Sequence, residues 1–100
     1  MLVQSATTMK PLFIPLKTRW FREFAAGRKT IEYRAYGPRW HEGTCYAGRP
    51  AVLSHGYSGD RINARIKRFR RIPIGNAPRA VQQLYAGRQY LAEIALSFNE

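Results

Sequence analysis

Cysteine is almost absent from this chain: Cys45 stands alone among 100 residues, which excludes an intrachain disulfide and a four-cysteine metal site. Histidine is scarce too. His41 and His55 together with Cys45 make three metal-capable side chains without a recognised zinc spacing, so neither a metal nor another cofactor is expected. Carboxylates number 6 against 17 Lys and Arg, and none falls between Arg61 and Glu93. No segment approaches the roughly 18 apolar residues of a membrane span, and Met1 to Lys10 lack the apolar centre of a secretory signal. Without a basic amphipathic helix or a lipidation motif, no membrane partner is expected. A cytoplasmic chain follows as the expectation, and a single cysteine fits a reducing compartment. The glycine-rich turn at 55–60 lacks the Gly-Lys-Ser or Gly-Lys-Thr ending of a phosphate-binding loop.

What is present suffices for one compact domain, since 45% of residues are apolar and 13% aromatic. It is expected over 10–100, behind a flexible tail at 1–9. The formal charge of +11 gives the folded surface a positive potential that favours polyanions, nucleic acid first. An ordinary solvated basic surface is the competing reading.

Leu12 to Leu16 is an apolar run suited to a buried strand, with Pro15 pointing to an edge or a strand end. Thr18 is a candidate N-cap for a helix over 19–26 that gathers Trp20, Phe21, Phe24 and Ala25 on one side, as core packing requires. Gly27 stands where a helix end needs positive φ, and Thr30, Ile31 and Tyr33 then favour an extended chain over 29–34. Residues 35–49 read as loop with one short extended segment. Pro50 to Ser54 reads as a strand and His55 to Asp60 as a flexible turn. From Arg61 onward, alternation sets Ile62, Ala64 and Ile66 on one face and Arg61, Arg65, Lys67, Phe69 and Arg71 on the other. Pro73 closes this strand. Asn76 and Pro78 open a helix over 77–86 that turns Val81, Leu84 and Tyr85 inward. A last strand, about 89–98, buries Tyr90, Ala92, Ile94, Leu96 and Phe98 and points Glu93 outward. The fold class is α+β, with about five or six strands and two helices.

The densest chemistry lies in Gly27-Arg28-Lys29-Thr30-Ile31-Glu32-Tyr33-Arg34. Alternation places Glu32 and Arg34 on one strand face, where the carboxylate can orient the guanidinium, with Lys29 at the adjoining turn. The spacing Gly-x-Lys-x-x-Glu-x-Arg resembles the hallmark of the ASCH domain, a branch of the PUA-like superfold. Pro15-Leu16-Lys17 before an aromatic-rich helix and the strand Val52-Leu53-Ser54 extend the likeness to roughly residues 11–98. The resemblance implies a small PUA-like mixed β-barrel with two flanking helices. It also implies a cleft at the barrel mouth lined by Lys17, Lys29, Glu32 and Arg34, with Ser54 at a strand end and His55 and Tyr57 in the following turn.

ASCH proteins are linked to RNA binding, and some members act as ribonucleases or as amidohydrolases on acetylated cytidine nucleosides. Two functions therefore stay open. The first is an RNA-binding module that engages single-stranded RNA through the cleft and through Arg61, Arg65, Lys67 and Arg71, with Phe69 among them. The second is a small hydrolase with Lys29 and Glu32 as an acid/base pair, or a ribonuclease with His41 or His55 moving the proton. The amidohydrolase pattern carries a threonine where this chain has Glu32 and a carboxylate after the fourth strand that this chain lacks. A structural ion pair is the plain alternative for Glu32 and Arg34.

Overall fold

A computed structural model describes residues 10–98; the expected tail at 1–9 lies outside them. Five strands, β1 (Leu12–Leu16), β2 (Ile31–Ala35), β3 (Pro50–His55), β4 (Arg61–Pro73) and β5 (Tyr90–Ser97), form one sheet in the order β1-β3-β4-β5-β2. The sheet curls into a half-barrel accompanied by helices α1 (Thr18–Ala25) and α2 (Arg79–Leu84). The pair β1–β3 is parallel and the other three pairs are antiparallel, so the sheet is mixed. Pro15 is tolerated because β1 is an edge strand, where a missing N–H costs no ladder bond on the open side.

The main core forms on the concave side from Ile14, Leu53, Ile66, Ile94 and their buried neighbours, and α1 adds Phe21 and Phe24 to it. Burial of each of these two rings stabilises the fold by roughly 1.5–3 kcal/mol. The backbone N–H groups of Gly27 and Arg28 bond Phe24 O and Glu23 O, both at 3.0 Å, with Gly27 at φ +78°. That is a Schellman-type ending, and it turns the chain so that Lys29 arrives beside the aromatic face of the helix it has just left. A smaller cluster of Ile72, Ala77 and Leu91, with Tyr33, Val81 and Tyr85 against it, holds α2 to the convex side.

Several local expectations change. Thr18 is the first helical residue and not the cap; Lys17 takes the N-cap position in extended conformation, and Thr18 Oγ1 hydrogen-bonds with His55 Nε2 at 2.7 Å instead. Pro78 occupies the N-cap position of α2, while Asn76 ends a 3-10 turn. Leu84 is 63% exposed where inward packing was expected; of the three residues expected to face inward from α2, only Val81 and Tyr85 pack against the Ile72, Ala77 and Leu91 cluster.

β5 also differs, since it is buried on both faces: Tyr90 is exposed, whereas Glu93 is buried and receives Arg70 Nε at 2.7 Å and the Tyr33 hydroxyl at 3.3 Å. The uniform basic face expected of β4 is interrupted. Its register with β5 passes from Ile66↔Leu96 to Arg68↔Ala95, so one extra residue is accommodated at Lys67. Beyond this bulge the faces exchange. Phe69 and Arg71 stand opposite Ile94 and Ala92 on the side of Ile66, and Arg68 and Arg70 take over the side of Arg65.

Candidate functional site

The two edge strands of the half-barrel, β1 and β2, leave a gap that Arg34 spans. Its Nε donates to Glu32 Oε2 at 2.7 Å, its Nη2 donates to the Pro15 carbonyl at 2.6 Å, and its guanidinium lies 4.7 Å from the Trp40 ring centre. Glu32 is buried, facing Ile94 of β5, and its second oxygen lies 3.7 Å from Lys29 Nζ. At that distance the lysine attracts the carboxylate without hydrogen-bonding to it; its hydrogen bond goes to the Ile31 carbonyl at 2.5 Å. One carboxylate thus holds two cations. Three rings surround the ammonium, with centres 5.2 Å (Phe24), 5.4 Å (Trp20) and 5.8 Å (Tyr33) away. Burial among them pulls the Lys29 pKa below the ordinary lysine value, and the Glu32 charge opposes that shift.

Above this triad opens a cavity of about 310 Å³. Lys29, Glu32 and Arg34 supply its charges; Trp20, Tyr33, Val81, Leu84 and Tyr85 supply its walls; Pro15, Leu16 and the exposed Lys17 complete the rim. The Tyr85 hydroxyl donates to the Tyr33 carbonyl at 3.0 Å, which fixes α2 against β2. Burial raises the pKa of both tyrosines above the usual phenol value. The site therefore combines apolar, largely aromatic walls with fixed donors and a single fixed carboxylate. That combination suits a flat polar group better than a purely apolar one.

The remaining candidates lie elsewhere. Ser54 is fully buried, its Oγ has no partner among the described residues, and it is not among the residues lining the cavity. His55 is also outside the lining, stacked on Phe21 at 5.2 Å. Tyr57 is 75% exposed in the next turn, and Arg61 lies 5.2 Å from the Phe13 ring centre. Arg65 donates to the Gly48 carbonyl at 2.7 Å, Lys67 is exposed at the bulge, and Arg71 lies between Tyr36 and Tyr90 at 5.5 and 4.6 Å. His41 accepts the Gly43 N–H through Nδ1 at 3.0 Å, which gives it a role in its own loop. Cys45 is buried, and that burial raises its thiol pKa. No group of three metal-ligating side chains occurs among the described residues. Nor is any helix among them long and apolar enough to cross a membrane.

Trp20, Val81, Leu84 and Tyr85 read as inward-facing in the sequence; Trp20, Val81 and Tyr85 do pack against the core clusters, and all four also line the cavity. Their spacing carried no sign of this, because an aromatic side chain at a helical core position looks the same whether its outer edge meets protein or a void. No family model and no curated protein matches this chain.

Proposed function

We propose that this chain is an RNA-binding module of the ASCH kind, which draws one base of a single strand into the cavity and tracks the flanking phosphates with surface arginines and lysines. The observation that carries the reading is the cavity itself, with aromatic walls over a fixed Lys29–Glu32–Arg34 floor and the exposed Lys17 at its rim. A flat base can pack against the walls while its polar edge meets the floor. The formal charge of +11 exceeds what a nucleoside needs, because a nucleoside has no phosphates to neutralise. The test is a salt titration of binding to a labelled single-stranded RNA. Log affinity is expected to fall linearly with log salt at about −0.7 per phosphate contact, near −3 for four contacts. Affinity independent of salt, or no binding at low salt, overturns the reading.

The hydrolase reading draws on one observation, the lowered pKa of Lys29 beside a carboxylate. Against it, both Glu32 oxygens are already engaged, one by Arg34 Nε at 2.7 Å and the other facing Lys29 Nζ at 3.7 Å. A histidine-dependent ribonuclease is disfavoured further, since neither His41 nor His55 lines the cavity. Turnover of an acetylated cytidine nucleoside that Lys29→Met abolishes, without RNA binding, would promote the hydrolase.

A further inference from the structure

We infer that Tyr57, Phe13 and Arg61 form a second nucleotide position beside the cavity, where a base stacks on Tyr57 and the adjoining phosphate meets Arg61. The inference rests on the RNA reading above and narrows it: the ligand is an oligonucleotide, and a free nucleoside fills only half of the site.

The first argument is the exposure of Tyr57 on a turn whose backbone is fixed. At 75% exposure it shows more of its surface than any other large hydrophobic residue described. His55 N–H bonds Asp60 O at 2.9 Å, Gly59 N–H bonds His55 O at 3.1 Å, and Gly56 N–H bonds Leu16 O at 2.9 Å. Gly56 has φ +71°, and a Cβ on Gly59 would stand 2.5 Å from the His55 carbonyl oxygen, so the turn is closed around its two glycines. The expected flexible turn is thus a set one. It holds an aromatic ring in water where the ring gains little from burial, which is the arrangement of a stacking platform.

The second argument is the preorganised cation. Arg61 donates from Nε to Gly59 O at 3.2 Å and from Nη2 to Tyr57 O at 3.1 Å. Of the five N–H groups of a guanidinium, three remain for an anion. Arg61 forms no ion pair among the described residues, although Asp60 precedes it. Phe13 backs the group: its ring centre is 6.1 Å from that of Tyr57 and 5.2 Å from the guanidinium carbon.

The third argument is continuity with the cavity. Phe13 and Pro15 alternate with the buried Leu12, Ile14 and Leu16, and Pro15 belongs to the cavity lining together with Leu16 and Lys17. Phe13 therefore lies one two-residue step, about 7 Å, along the same row. The bond from Gly56 to Leu16 ties the turn to that strand. Arg61, Arg65 and Arg68 then continue the positive charge along β4, which matches a phosphate backbone and opposes a cationic or purely apolar partner.

The experiment compares the full chain and its Tyr57→Ala, Tyr57→Phe and Arg61→Gln variants for binding to a fluorescein-labelled eight-residue oligouridine. Tyr57→Ala is expected to weaken binding about five- to hundredfold with the salt slope unchanged, because stacking carries no charge. Tyr57→Phe should restore wild-type affinity, and Arg61→Gln should flatten the slope by about 0.7. Wild-type binding that Tyr57→Ala leaves intact overturns the second position while the module reading stands. Failure of the wild-type chain to bind the octamer at low salt overturns both.

Discussion

On the cavity floor, Glu32 accepts Arg34 at 2.7 Å and faces Lys29 at 3.7 Å, with all three side chains no more than 20% exposed. On the convex side of β4, Arg65 and Arg68 are exposed and form no ion pair among the described residues. The first set exchanged hydration for fixed mutual geometry, so removing one member leaves the others buried without compensation. The second keeps its water, and its interactions weaken as salt rises. One region is built to hold a shape and the other to supply a potential.

The largest expected effect is therefore on stability and comes from the floor. Glu32→Ala strips the counter-charge from Lys29 and Arg34 together and weakens the hold of Arg34 across the β1–β2 gap. A loss of about 3–5 kcal/mol is expected from breaking such a buried pair, a large share of the roughly 5–15 kcal/mol that stabilises an ordinary domain. Glu32→Gln, which can still accept from Arg34, should lose less. Urea unfolding checks this, and a loss below about 1 kcal/mol for the alanine variant would make the floor as dispensable as the surface.

Next in size is the convex face, where the effect should fall on affinity and leave the fold alone. Reversing Arg65 and Arg68 to glutamate removes two phosphate contacts and should flatten the log–log salt slope by about 1.4. The unfolding midpoint in urea should stay near that of the wild type. Arg71 offers a control inside the same strand: it lies beyond the bulge on the other face, between Tyr36 and Tyr90. If Arg71→Glu flattens the slope as much as a change at Arg65, the RNA does not follow one face of β4.

The same contrast explains what the sequence made legible. Glu32 with Arg34 was readable because two residues on one strand face meet through local geometry alone. The reach of Arg34 to Pro15 was not, since β1 and β2 are brought together only when the sheet curls. Both helices and the strands were visible from apolar period and glycine punctuation, and β1 was expected at the residues it occupies. The bulge at Lys67 escaped because no glycine marks it and the arginines on either side look alike in either register. Glu93 was misread as outward for a related reason: its partners, Tyr33 and Arg70, come from two other strands.

The smallest expected effect concerns Lys29 and appears only at alkaline pH. Its pKa lies below the ordinary lysine value because burial disfavours the ammonium more than Glu32 favours it. Between the folded value and the ordinary one near 10.5, the unfolded chain binds more protons than the folded chain, so this residue makes stability rise with pH across that window. Below the window its cost is constant. Tyr33 and Tyr85 act in the opposite sense, since their raised values make folding resist ionisation, and stability falls as pH climbs above the usual phenol value. Subtracting the Lys29→Met unfolding curve from the wild-type curve at each pH isolates the lysine. The wild-type chain should gain on the variant as pH approaches 10.5. A direct reading comes from the 13Cε shift of Lys29 in the lysine-labelled chain, whose midpoint should fall below the ordinary lysine value near 10.5. A midpoint at the ordinary value would mean that water reaches the ammonium freely, and the floor would then differ from the convex face of β4 in geometry but not in solvation.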